Sequence, residues 1–277
     1  MESRRIARID GLTTLHEDAI RLGRAAIMPG QWARHDPFLS MMNDRFGRGA
    51  FGPHPHRGFE TLTYVISGRL RHEDNQGGGG TLGPGDAQWM TAGRGVVHNE
   101  LPEGDAPVHV LQLWINLPQA RKLAPFRYQD LRGAAMPVRR EPGAEVRVFA
   151  GASGGVQGPA QTHTPLTMLD IRMAAGARLT QVLPGGHNGF VYVLQGAGRF
   201  GADAQAGRQD QTLWLDRLPN AGDTRLAIEA TEPLHLLLFA GAPLQEPVVA
   251  YGPFVMNTEA DIAQAIADYQ RGEFAPA

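Results

Sequence analysis

The chain contains no cysteine. Disulfides, thiolate nucleophiles and cysteine-held zinc are therefore excluded, and any bound metal must rest on histidine nitrogens and carboxylate oxygens. Charge is also sparse: only 19% of residues are charged, and 26 basic against 28 acidic residues leave a formal net charge of −2. So even a balance gives no electrostatic reason for a polyanionic partner, and neither nucleic acid nor membrane is expected as a direct ligand. No run approaches the ~18 apolar residues of a membrane-spanning helix. The opening MESRRIARIDGLTTLHEDAI lacks the apolar core of a secretory leader, so a cytoplasmic protein is the expectation.

What the chain has in quantity is glycine and proline, 35 and 20 of its 277 residues. That composition implies many turns and short strands rather than long helices. Strand-like segments fall at 60–66 (ETLTYVI), 108–115 (VHVLQLWI), 145–149, 166–173, 189–194 and 234–239. Most are short, β-branched or aromatic, and bounded by Gly, Pro, Asp or Asn. Their close, regular spacing suits a sandwich or barrel. TYVISGRLRHED (63–74) also resembles VYVLQGAGRFGAD (191–203): an apolar strand, a glycine turn, then an arginine-bearing strand. Tyr64 and Tyr192 are 128 residues apart, about one domain length, which predicts two similar domains, 1–135 and 136–277. The Pro/Gly/Ala-rich stretch from Arg132 to Gly158 would join them, and it holds a strand of its own, EVRVFA. One helix is signalled near the end. Thr258 caps it with Asp261 three residues on, Ile262, Ala265, Ile266 and Tyr269 form an apolar face, and Gly272 stops it. It is expected to cover a sheet edge.

The first half carries His54-Pro55-His56 and His98-Asn99-Glu100. Residues i and i+2 of a strand point to the same side, so each pair can present two donors to one point. Pro84-Gly85-Asp86 forms a turn before the run from Ala87 to Thr91, and Gly93 and Gly95 permit close backbone approach beside His98. On neighbouring strands the two pairs would converge as three nitrogens and one carboxylate, a set for a divalent first-row metal. Four protein donors on a six-coordinate ion leave two positions open, as a catalytic metal needs. Spacing alone leaves surface or core histidines as the alternative, because His-x-His also arises by chance.

The segments HPHRGFETLTYVISG (54–68), PGDAQWMTAGRGVVHNE (84–100) and EPVVAYGPFVMNTEADIAQAIADYQRGEF (246–274) closely resemble the pirin family, bicupins of the cupin superfamily. The resemblance implies an all-β chain of two cupin (double-stranded β-helix) barrels in tandem with a short C-terminal helix. It implies a metal held by His54, His56, His98 and Glu100 in the first barrel. Fe(II) is the expected ion, and Ni, Mn, Cu, Co or Zn would suit the same donors. Several family members cleave the flavonol quercetin with O2. A quercetin 2,3-dioxygenase activity is thus implied, with a flavonol-like substrate and Glu100 as general base. The alternative is a non-enzymatic, iron-dependent, redox-responsive regulator that binds a protein partner. A monomer is expected for a bicupin of this size.

Other residues carry weaker expectations. Glu60, four residues after His56, is the fourth ligand in many other cupins, but here Glu100 fills that role by resemblance and Glu60 is left to support a ligand histidine or the strand. Aligning Tyr192 with Tyr64 puts Val182 and Pro184 where His54 and His56 stand, and His163 and His187 lack the paired spacing, so the second barrel is expected to be metal-free. His72 and Glu73 read as solvated strand residues. Phe51, Trp89 and Met90 could line an apolar pocket or fill the core, and Trp114 and Trp214 read as core. SMMNDRF (40–46), where relatives are more acidic and leucine-rich, is expected at the pocket mouth, and Asn75 to Gly80 as a flexible loop tip.

Overall fold

The computed structural model describes residues 1–274. Strands dominate, and those expected from the sequence are present with extended ends: Phe59–Ser67, Val108–Asn116, Ala144–Ala150, Leu166–Met173, Asn188–Gln195 and Leu234–Gly241. The chain folds as two compact units. The break between Ala134 and Ala135 is where the sequence suggests a junction, but the ends of the chain are exchanged. Met1–Leu12 belongs with Ala135–Pro243, and the segment from Leu244 on belongs with Thr13–Ala134. This division differs at both ends of the chain from the expected limits 1–135 and 136–277.

Each unit has one seven-stranded and one four-stranded antiparallel sheet, and their strand orders correspond. In the unit built on Thr13–Ala134, the large sheet runs from the edge strand Arg127–Leu131 through Ala87–Thr91, Phe59–Ser67 and Val108–Asn116 to Phe38–Phe46, Arg21–Ile27 and Thr13–Glu17. In the other unit the same edge, beside Thr212–Leu215, is taken by Ile6–Asp10, with Ile6 opposite Leu215 and Asp10 opposite Thr212. That pairing explains the exchange of the N-terminus: an edge strand leaves unpaired backbone groups, and a distant segment satisfies them.

The small sheets have the order His54–His56, Val96–Pro102, Leu70–Asp74, Gly79–Leu82 in one unit and Arg178–Pro184, Asp223–Ala230, Ala197–Phe200, Gln205–Arg208 in the other. Their strands alternate between buried and less buried residues, as a half-buried strand must. Two glycines anchor the repeat. Gly68 (φ +79°) and Gly196 (φ +80°) occupy the left-handed region, and a β-carbon there would lie 2.7 Å from the Pro107 carbonyl oxygen and 2.1 Å from that of Pro233. Only glycine fits both turns.

A buried cation serves backbone carbonyls in each unit. Arg4, fully buried, donates to the carbonyls of Asp216, Pro184 (2.6 Å) and His187 (3.1 Å) and to Thr224 Oγ1 (2.9 Å). In the other unit Lys122 Nζ donates to Gly58 O (2.8 Å), Val255 O (2.9 Å) and Asn116 Oδ1 (2.5 Å). The C-terminal helix spans Glu259–Gln270 and starts with the expected capping box between Thr258 and Asp261. Ile262 and Ala265 are buried, whereas Tyr269 is 40% exposed and packs against Phe254 and Phe274. Asp268 pairs with Arg57 Nη1 at 2.6 Å, next to His56. The Asn75–Gly80 tract is not a bare loop tip: Asp74 Oδ1 accepts from the amides of Gln76 and Gly78, and Gly79–Leu82 is a strand.

Candidate metal centre

The strand His54–His56 pairs antiparallel with Val96–Pro102, His54 opposite His98 and His56 opposite Val96. The i, i+2 rule then puts His54, His56 and His98 on one face. Their rings lie 4.4 Å (His54–His98), 4.8 Å (His54–His56) and 4.9 Å (His56–His98) apart between centroids. One nitrogen from each falls within 4.8 Å of the others, and no other such group forms among the described residues.

The chemistry of these nitrogens fits a metal. His54 Nδ1 donates to the Gly52 carbonyl at 2.8 Å, which leaves Nε2 as the nitrogen available to a metal. His98 is buried, and neither of its ring nitrogens has a hydrogen-bond partner. The same holds for His56 within hydrogen-bonding geometry, although the Pro253 carbonyl is near. Buried polar atoms normally find partners, so orphaned imidazole nitrogens converging on one point mark a place for a cation. Burial, and then the neighbouring His54, push His56 down to about 3. Burial also lowers His98 well below the usual histidine range, with His56 and His54 adding to it. Imidazoles held below their ordinary range, as His56 and His98 are, take the neutral ligand form a divalent first-row ion requires.

Glu100 projects from the same face of the same strand as His98 and is buried. It stands outside the tight histidine group. Its carboxylate accepts from Thr63 Oγ1 (3.1 Å) and Gln112 Nε2 (2.7 Å), and Trp114 Nε1 in turn donates to Gln112 Oε1 (3.3 Å). Glu60 is fully buried but sits on the opposite face of its strand from Phe59, whose ring is 5.1 Å from His56. It accepts from Thr91 Oγ1, across the strand pair, at 2.7 Å.

A cavity of about 770 Å³ opens beside His54, His56 and Glu100. Its walls are mainly apolar, with Trp32, Leu39, Met42, Phe46, Phe51 and Trp114 among them. Trp114, expected in the core, instead lines this space, 5.3 Å from the His56 ring. Trp89 and Met90 are core residues, and Phe51 is a wall residue packed edge-on against Phe46. Ser40, Met42, Asp44 and Phe46 of SMMNDRF do face the cavity. Trp214 is buried as expected.

His72 is the clearest residue missed. Glu73 is exposed, but His72 is buried, opposite Glu100 across the strand pair, with its ring 4.9 Å from His98. Neither His72 nitrogen has a partner in hydrogen-bonding geometry. Burial lowers its pKa, opposed by Glu100 and Asp74. The signal was available in LRHED: a period of two puts His72 with Leu70, inside.

The same registers locate the degenerate site of the second unit. His72 pairs with Glu100 and Phe200 with Ile228; His54 pairs with His98 and Gln181 with Leu226. Gln181, Leu183, Leu226 and Ile228 therefore occupy the places of His54, His56, His98 and Glu100. Val182 and Pro184, the expected equivalents, are exposed. Between Tyr192 and Leu183 lie nine steps against eight between Tyr64 and His56 (192 − 183 and 64 − 56), and one extra residue moves a strand to its other face.

Fold and site together define a bicupin with a histidine centre in one barrel. The sequence matches the Pirin profile over residues 24–115 and the Pirin C-terminal cupin domain over 168–275. The chain belongs to the pirin family. Pirin from Homo sapiens is 40% identical, the match covering 86% of this chain and 82% of that one. The crystal structure of a quercetin 2,3-dioxygenase from Acinetobacter baumannii is 34% identical with a TM-score of 0.86, covering 98% of each chain. A crystal structure from Geobacillus kaustophilus is 49% identical with a TM-score of 0.87, covering 89% of this chain and 99% of that one. Among the described residues, no helix is long and apolar enough to cross a membrane.

Proposed function

We propose that the chain is a metal-dependent dioxygenase of the quercetin 2,3-dioxygenase type, which cleaves a flavonol with one O2 and releases one CO. The observation that carries this reading is the apolar cavity beside three converging histidines, with a buried carboxylate at its wall. His54, His56 and His98 would hold the ion, Fe(II) being the expected one, with Glu100 as fourth donor. When bound, the ion supplies a Lewis acid that acidifies a hydroxyl and a redox partner for O2.

The protein's own residues do the rest. Glu100 takes the proton from the substrate hydroxyl, since its carboxylate borders the cavity where that hydroxyl must sit. Thr63 and Gln112 aim it, each donating to a different oxygen. Phe59 and Trp114, 4.3 Å apart, wall His56 on its apolar side and exclude water that would otherwise compete for protons. A redox-responsive regulator would need the metal but no chamber of this volume, so the cavity favours the enzyme.

The test is oxygen uptake by iron-loaded protein given quercetin. Stoichiometric uptake with CO release is expected. Glu100→Gln should retain most of its metal while turnover falls by about 10²- to 10⁴-fold. Background uptake with every first-row ion would remove the enzyme reading.

A further inference from the structure

The same cavity has a second polar feature that the metal chemistry does not use. Arg21 and Asp44 both line it. Arg21 Nε and Nη2 donate to the same oxygen, Asp44 Oδ1, at 3.1 and 3.0 Å. This is not the two-oxygen fork that an arginine and a carboxylate form when pairing is their whole purpose. It leaves Asp44 Oδ2 without a protein donor among the described residues. The guanidinium also lies 4.3 Å above the Phe51 ring, which fixes it against the cavity wall.

Backbone positions set the pair's place. Asp44 is opposite Val110, and Met42 is opposite Gln112, the residue that holds Glu100. Asp44 and the Glu100 clamp thus stand on successive levels of one wall, about 7 Å apart along the strands. Gly23, opposite Asp44 on the neighbouring strand, makes room for it. A β-carbon at Gly23 would come within 2.8 Å of Asp44 Oδ1 and 3.3 Å of Arg21 Nε. The glycine φ is not in the left-handed region, so its role is space and not backbone freedom.

We infer that the Arg21–Asp44 pair, given room by Gly23, is the specificity element of the cavity: Asp44 Oδ2 accepts a hydroxyl on the part of an aromatic substrate away from the metal. This rests on reading the cavity as the substrate chamber. A carboxylate acceptor selects a hydroxylated ring, leaves a bare ring unrewarded and repels an acidic one. Burial pushes the Asp44 carboxyl up from its usual range and Arg21 opposes that shift, while the arginine's own contacts stay on the other oxygen.

Calorimetric titration of the nickel-loaded protein, with O2 excluded, tests this with two ligands. Quercetin carries hydroxyls on both outer rings, whereas 3-hydroxyflavone has the same skeleton and 3-hydroxyl but no others. The wild type should prefer quercetin by on the order of tenfold to a hundredfold. Asp44→Ala should abolish that preference by weakening quercetin while leaving 3-hydroxyflavone unchanged. Gly23→Ala, which displaces the pair without removing a charge, should reduce it in the same way and serves if Asp44→Ala does not fold. Equal affinities in the wild type, a preference kept in both variants, or no binding of either ligand would overturn the inference. Oxygen uptake on the same wild-type protein separates the two ideas. A preference without uptake sinks the dioxygenase reading alone, and uptake without a preference sinks this one alone.

Discussion

The two barrels share strand order and register, but one is filled and the other is hollow. In the unit of Ala135–Pro243 a single apolar core takes in Leu183, Phe200, Leu226 and Ile228, residues at the places of His56, His72, His98 and Glu100. In the histidine-bearing unit Phe46, Val65, Leu70 and Leu82 form one buried apolar cluster, and Met90, Ala92 and Val96 form another. Phe46 and Val110 of the first cluster border the cavity that opens beside His54, His56 and Glu100. Gln181, at the place of His54, shows how the filled barrel accommodates a polar group there. It accepts from Ser153 Oγ at 2.6 Å and donates to the carbonyl of Val182 at 2.8 Å. The lesson is energetic. A side chain kept at a site for its chemistry leaves unmatched nitrogens, as at His98, whereas one kept for stability is either apolar or fully bonded.

Substitutions at matched positions sharpen this contrast. The largest effect is expected for His98→Ala, which should weaken metal binding at least ~100-fold, a ligand mattering more than its supporting shell; elemental analysis after dialysis reads it. Its counterpart Leu226→Ala should leave metal content untouched and cost about 2–5 kcal/mol in urea unfolding, the cost of a core cavity. Next comes the register of the second barrel. Leu183→His would bury an unpaired imidazole and cost roughly 3 kcal/mol, whereas Val182→His, on the exposed face, should stay within about 0.5 kcal/mol. Equal costs at 182 and 183 would break the assigned register.

Lys122 gives a pH-dependent contrast. Burial pushes its ammonium down to about 7 from 10.5. The folded pKa lies below the unfolded one, so the unfolded chain binds the extra proton between them, and stability rises as pH goes from about 7 to 10.5. Lys122→Met should flatten that rise. At neutral pH it should cost roughly 2 kcal/mol, by leaving the Gly58 and Val255 carbonyls without their donor. Thermal melts of both proteins across that pH range check it.

Much of this was legible in the chain. The spacing of His54, His56 and His98 on strand-like segments pointed to the face on which the three histidines converge, because a period of two is a local property. The capping box at Thr258 and Asp261 was local in the same sense. What escaped was non-local. The exchange of the ends depends on Ile6–Asp10 finding an edge two hundred residues away at Thr212–Leu215. The place of Gln181 and Leu183 turns on one added residue in a connection, which similarity of the flanking strands conceals. Trp114 looked like core because hydrophobicity does not distinguish a packed interior from a cavity wall.

The central claim is that one barrel holds one ion and the other holds none. An anomalous-difference map from crystals of the iron-loaded protein measures this directly. A single peak is predicted, bounded by the inward nitrogens of His54, His56 and His98. A peak among Gln181, Leu183 and Leu226, or no peak beside the three histidines, would contradict the account.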